Sequence, residues 1–143
     1  MTALSADKRR VTRNVQAKAT AQILLADSQT VYEGALIMIN ASGLAVVGAD
    51  TASMTFGGVA AAAVTSGSSN TTKYVDIEYG HEEWFEKAGA VTVADLGANL
   101  VIADDATITD AGAGTNDVLV GQGVQLETIN GTAGVWLRVR LFA

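Results

Sequence analysis

The stretch YGHEEWFEK, Tyr79 to Lys87, puts the only histidine of the chain directly before two carboxylates and two aromatic residues. A zinc hydrolase motif would need a second histidine four residues on, so that both imidazoles reach the metal from one helix face. Position 85 is Phe85, and the 143 residues hold no other histidine and no cysteine. Thiolate chemistry, disulfides and cysteine-rich metal sites are therefore excluded. A Ser, His and Asp set could be drawn from distant positions, but no G-x-S-x-G elbow exposes a serine. The reading is a non-enzyme without cofactor or metal, with His81 a solvated residue at a turn or strand edge.

The elements around this stretch explain it better than catalysis does. Val75, Ile77 and Tyr79 alternate with Asp76 and Glu78, GHE turns the chain, and Glu83 to Glu86 continue as another strand. Trp84 and Phe85, adjacent in a strand, must face opposite sides. One anchors the core, and the other is left for a rim or a partner.

The same pattern runs through the chain. Short apolar segments separated by Gly, Ser, Asn and Asp clusters predict an all-β domain, a compact β-sandwich or β-barrel of short antiparallel strands. Strands are expected near Ala21–Leu25, Ala35–Asn40, Leu44–Val47, Thr55–Val64, Tyr74–Tyr79, Glu83–Lys87, Leu100–Ala103, Ala106–Thr109, Val118–Leu126 and Val135–Phe142. NASG and INGTAG supply hairpin turns, because Asn and Gly accept positive φ. One helical turn is expected at TVADLG, with Thr92 as its N-cap and Gly97 ending it. An echo links the halves: GALIMIN from Gly34 with GANLVIA from Gly97, GGV with QGV, and YVDIEY with VWLRVR. It predicts two pseudo-repeated halves built on a three-strand unit, the alternative being that short Gly and aliphatic segments resemble one another anyway.

Length sets a single domain. Residues 1–18 carry five basic residues against Asp7 alone, a charge of +4, so the other 125 residues hold −10 of the net −6. The division is an extended basic N-terminal arm over residues 1–20 and one β-rich domain over residues 21–143. The arm suits an acidic protein surface better than nucleic acid, since it lacks stacking aromatics and the body repels phosphates; a solvated tail is the bland alternative. No apolar run reaches membrane-spanning length and the N-terminus lacks a signal peptide's apolar segment, so a soluble protein made in the cytoplasm is expected. With no proline, sheet edges must be covered, charged or paired. In the last strand Val135, Leu137, Val139 and Leu141 face one way, and Trp136, Arg138, Arg140 and Phe142 form an aromatic and arginine stripe on the other.

An ordered series of patterns covers nearly the whole chain after the arm: VYEGALIMINASGLAVVGADTA at Val31 to Ala52, GGVA, the acidic alternating strand ending in Gly80, AVTVADLGANLVIADDATIT at Ala90 to Thr109, and GQGVQLETINGTAGVWLRV. In these features the chain resembles the capsid decoration, or cement, proteins of tailed bacteriophages. The resemblance implies a β-rich, non-catalytic protein of the virion's outer capsid surface, made in the host cytoplasm. Its partners would be the major capsid protein and itself, as a homotrimer or alternatively a homodimer, with no direct nucleic acid or membrane contact. Lys8, Arg9, Arg10 and Arg13 become candidates for contact with capsid or neighbouring copies, and Trp84, Trp136, Arg138, Arg140 and Phe142 for oligomer or capsid packing. Two other classes compete. One is a β-sandwich binding sugar on Tyr74, Trp84 or Trp136, or calcium through Asp104, Asp105, Asp110 and Asp117, although no D-x-D-x-D-G spacing is present. The other is a lattice-forming subunit of a viral shell or tube, disfavoured by small size and the absence of long helices.

Overall fold

Alternation of apolar and polar residues carries this chain into strands almost wherever its sequence predicts them. The computed structural model describes residues 3–8, 11–13, 18–68 and 72–139. Its strands are β1 (Thr12–Arg13), β2 (Ala19–Leu24), β3 (Thr30–Val31), β4 (Leu36–Ile39), β5 (Ala45–Val47), β6 (Thr55–Ala60), β7 (Val64–Thr65), β8 (Tyr74–Tyr79), β9 (Glu82–Glu86), β10 (Asn99–Ile102), β11 (Ile108–Asp110), β12 (Leu119–Ile129) and β13 (Thr132–Val139). One expectation fails: the strand over Thr55–Val64 breaks after Ala60, and Val64–Thr65 leaves to pair with β3. The alanine run at 60–63 has neither alternation nor β-branched side chains to hold it in the sheet.

Three antiparallel sheets result, in the orders β1-β9-β13-β12-β10-β11, β2-β8-β6-β4-β5 and β3-β7, and they pack as a compact sandwich. The two large sheets repeat one another. Ile37 pairs with Gly58 and with Val47, and Leu100 pairs with Gly121 and with Asp110, each residue of the second set lying 63 positions after its counterpart. Even the register shift recurs, between Ile37 and Met38 and between Leu100 and Val101. Ala60 opposite Ile77 is answered by Gly123 opposite Leu137. The repeated unit therefore has five strands, two more than the sequence echo suggests. Each unit also curls toward barrel closure: beyond β2, Leu25 bridges Ala45 of β5 in parallel, and beyond β9, Lys87 bridges Ile108 of β11.

Two apolar clusters fill the fold. Leu36, Met38, Phe56 and Val59 of the first sheet meet Phe85, Leu100, Ile108, Val120, Val135 and Leu137 of the second. On the other face of the first sheet Ile37, Ala45, Ala60, Val75 and Ile77 form a second cluster, closed by Val31 and Val64 of the small sheet and by Leu4 of the arm. The described part of the arm is thus strapped to the body. Leu4 N–H donates to Asp105 Oδ1 at 2.8 Å, Asp7 Oδ1 accepts from Glu33 N–H at 2.8 Å, and Lys8 N–H donates to Glu33 O at 2.7 Å. Gly34, at φ +87°, is obligatory there, since a Cβ would collide with the Lys8 carbonyl.

Both predicted hairpins form. Between β12 and β13, Asn130 (φ 50°) and Gly131 (φ 79°) make a two-residue turn of the type whose twist matches paired strands. Gly131→Val should lower stability by about 1–2 kcal/mol, the cost of forcing a side chain into left-handed backbone, with Asn130→Gly close to neutral. Urea unfolding of the two variants checks this; equal midpoints would refute it.

Candidate functional site

The aromatic and arginine stripe is where the structure brings most of the sequence-predicted site residues together. In β13, Val135, Leu137 and Val139 enter the core while Trp136 and Arg138 take the opposite face, as alternation requires. Trp136 sits directly across from Trp84 of β9, and Phe85 turns into the core. Glu127 of β12 holds both indoles: its backbone carbonyl accepts from Trp84 Nε1 at 3.0 Å and its Oε2 from Trp136 Nε1 at 2.6 Å.

The arm covers this pair. Thr12 and Arg13 add β1 to the edge of β9, and Trp84 N–H donates to Val11 O at 3.0 Å. The Arg13 guanidinium lies 4.1 Å from the centroid of Trp136, a cation–π contact. Its Nε donates to Glu82 Oε1 and one Nη to Gln125 Oε1, both at 2.7 Å. Arg138 reaches the other Glu82 oxygen at 3.4 Å. The Arg13 hydrogen bond, reinforced by its charge and by Arg138, holds the Glu82 carboxyl below its ordinary value. In the single chain Trp84 and Trp136 are only 8% and 5% exposed, so the arm's own Arg13 occupies the place a partner would take. Arg138 keeps 65% of its side chain in solvent. Lys8 joins Val11, Trp84, Glu86 and Ile129 around a shallow cleft beside the stripe. Arg9, Arg10, Arg140 and Phe142, with Leu141, lie outside the described residues.

His81 corrects the sequence reading. It is fully buried, with Nε2 2.6 Å from Glu83 Oε1, and its Nδ1 has no hydrogen-bond partner among the described residues. The reason is topological: Gly80 and His81 do not close a hairpin but carry the chain from the first sheet into the second. They are pinned there by Gly80 N–H to Val139 O and Val139 N–H to His81 O.

A second polar cluster escaped the sequence reading. Lys87 Nζ donates to Asp95 Oδ1 at 2.8 Å, to Asp110 Oδ1 at 2.9 Å and to Ala90 O at 2.7 Å. The expected turn after Thr92 is a single 3-10 turn, Val93–Asp95, and Asp95 Oδ2 accepts from Thr92 N–H at 2.9 Å. Burial weighs most heavily on both Lys87 and Asp95 and opposes their charge. Their hydrogen bonds to each other, with those of Asp110 and Thr92, outweigh it, so Lys87 lies above and Asp95 below its ordinary value. The available signal was β9 with the residue on either side of it, where the alternate buried positions 81, 83, 85 and 87 read His, Glu, Phe, Lys.

For the ligand-binding class, the aspartates proposed for calcium are engaged in contacts within the chain, those of Asp104 and Asp117 local and those of Asp105 and Asp110 distant in sequence. Asp104 Oδ1 accepts from Ala106 N–H, Thr107 N–H and the Thr107 hydroxyl, Asp105 holds Leu4, Asp110 pairs with Lys87, and Asp117 accepts from Gly112 N–H. Of the three aromatics proposed for sugar, Tyr74 alone is exposed, at 57%. No helix among the described residues is long and apolar enough to cross a membrane. Set against family models, curated proteins and solved structures, the chain matches none.

Proposed function

We propose that this chain is a capsid decoration, or cement, protein of a tailed bacteriophage, a non-catalytic accessory that binds the outside of the assembled head. The ordered sequence patterns suggest the class. The observation that carries the mechanism is the basic arm laid across an acidic β body, with Arg13, Arg138 and Lys8 on one side around Trp84 and Trp136. Copies joined in a small homo-oligomer engage several capsid subunits at once, so modest interfaces multiply into a strong clamp through effective concentration.

Charge reversal tests it better than truncation does, since Leu4 and β1 contribute to packing. In co-sedimentation with heads of the source phage, Lys8→Glu with Arg138→Glu should lower occupancy at least about tenfold, the equivalent of one lost charge-assisted contact per copy, with only a small fall in melting temperature from the exposed Arg138–Glu82 contact. Full occupancy by the double variant would refute the role of this face, and failure of the wild type to pellet with heads would refute the function.

A further inference from the structure

The five-strand repeat exposes a difference between the two halves at one turn. Gly34 and Gly97 are equivalent, 63 positions apart, so Thr30 to Glu33 of the first half answer Val93 to Leu96 of the second. In the first half the arm crosses this turn. Asp7 Oδ1 accepts from Glu33 N–H, Lys8 N–H donates to Glu33 O, and a Cβ at Gly34 would strike the Lys8 carbonyl. In the second half a Cβ at Gly97 would meet nothing within 4 Å among the described residues.

The side chains run against what solvent exposure alone selects. The covered turn carries Thr30 and Glu33, and the bare one carries Val93 and Leu96, 76% and 45% exposed. Val124, also exposed, joins them. Gly97 N–H donates to Gly123 O and Gly123 N–H to Ala98 O, which sets Leu96 and Val124 beside the same pair of glycines. Val124 is the extra residue where the register of β12 shifts between Gly123 and Gln125. The fold asks only for Asp95 here, as the partner of Lys87; Val93, Leu96 and Val124 belong to neither core cluster.

Charge frames the patch on two sides. From Ala88 to Val101 the single charge is Asp95, buried against Lys87. Across the sheet, Asp110 of β11 pairs with Leu100, Asn99 with Gln122, and Gln122 with Arg138. The patch therefore has a carboxylate with 56% of its side chain in solvent on one side and a guanidinium with 65% on the other. Gln122 ties the turn to the arginine side, its amide donating to Gly97 O at 2.8 Å.

We infer that the patch of Val93, Leu96 and Val124 is a self-association site that takes the same patch of a second copy about a two-fold axis. The charges select this occupant. A two-fold exchanges the sides of the patch, so Arg138 of each copy meets Asp110 of the other while the apolar side chains meet at the centre. Elsewhere a body of −10 repels its own copies, and this stretch, with no exposed charge of its own, is where that repulsion is least. The inference does not rest on the decoration reading, although the two share Arg138, so its test uses protein without heads.

Light scattering over a wide range of protein concentration tests it. The wild type should approach twice the 14.7 kDa chain mass. Val93→Thr with Leu96→Glu writes the first half's residues into the second and should return the monomer at every concentration. Its far-ultraviolet spectrum should be unchanged, because both side chains are exposed and the first half folds with these residues at the same turn. Arg138→Ala keeps the apolar centre and loses two exposed ion pairs per dimer, so it should raise the dissociation constant about fivefold. A monomeric wild type, a trimer, a mass that survives the double variant, or an Arg138→Ala dissociation constant equal to that of the wild type overturns the inference. A monomeric wild type whose double variant no longer pellets with heads would assign the patch to the capsid protein instead of a second copy.

Discussion

Lys87→Met should lower the unfolding free energy by about 3–5 kcal/mol, the cost of leaving a buried charge without its partner. Lys87 and Asp95 each keep only 2% of their side chains exposed, and the stranded carboxylate is Asp95; Asp110, at 56%, can turn to water. The repeat supplies the control. The first half occupies the equivalent positions with Leu25, Tyr32 and Val47, so the triple variant Lys87→Leu, Asp95→Tyr, Asp110→Val should recover much of the loss, as apolar replacement of whole buried ionic groups does. The pH dependence follows from the directions of shift. Asp95, lowered from 3.8, contributes stability that is present above 3.8 and lost as pH falls through its lower folded value. Lys87, raised from 10.5, contributes stability present below 10.5 and lost as pH rises through its higher folded value. The gap between wild type and Lys87→Met in urea unfolding should therefore be flat across neutral pH and shrink at both extremes. A loss below about 1 kcal/mol at neutral pH would mean that the lysine is not effectively desolvated.

Trp136→Ala should cost a comparable 3–5 kcal/mol, because a large buried ring is removed and the sheet can close the space only in part. The deletion also strips Arg13 of the surface it rests on and leaves Glu127 Oε2 without the indole N–H. Trp136→Phe retains the ring face and should lose only about 1 kcal/mol, the worth of that hydrogen bond. Arg13→Ala should cost about 0.5–1 kcal/mol, as expected of a partly exposed cation–π contact. The readout separates packing from arm docking. Trp136→Ala leaves Trp84 as the one tryptophan, and Trp84 is bound through its backbone N–H to Val11 and shares a cleft with Val11 and Lys8 of the arm. A red shift of its emission would report that the arm has lifted; unshifted emission together with a loss under 1 kcal/mol would show that Trp136 does not hold the arm.

The two experiments probe the places where the halves diverged. Where the first half has Gln22 and Asp76, joined by a 2.7 Å hydrogen bond, the second has Trp84 and Trp136 under an arginine. Where the first has Leu25, the second has Lys87. The outer strands of each unit kept their pairing registers while their residues changed, which is why the echo in the sequence reaches three strands and the repeat in the structure reaches five. Letters record similarity of side chains, whereas register is held by backbone hydrogen bonds that any residue but proline can make.

By itself the sequence determined the local structure: β class, the strands of the two large sheets other than β1, the turns at Asn130–Gly131 and Asn40–Gly43, the short turn after Thr92, and the alternation that splits Val135, Leu137 and Val139 from Trp136 and Arg138, but not the two-residue strands β1, β3 and β7. Each of these is written in residues a few positions apart, through period-two patterning and the φ preferences of Asn and Gly. Only the tertiary structure decided that the chain changes sheets at Gly80, which buries His81, and that the arm lies along β9 over two tryptophans. It also decided that Lys87 meets Asp95 and Asp110, and that β5 curls back onto the end of β2. Those outcomes depend on which strands become neighbours across tens of residues, a choice set by the burial of two cores and by barrel closure, with no local signature in the chain.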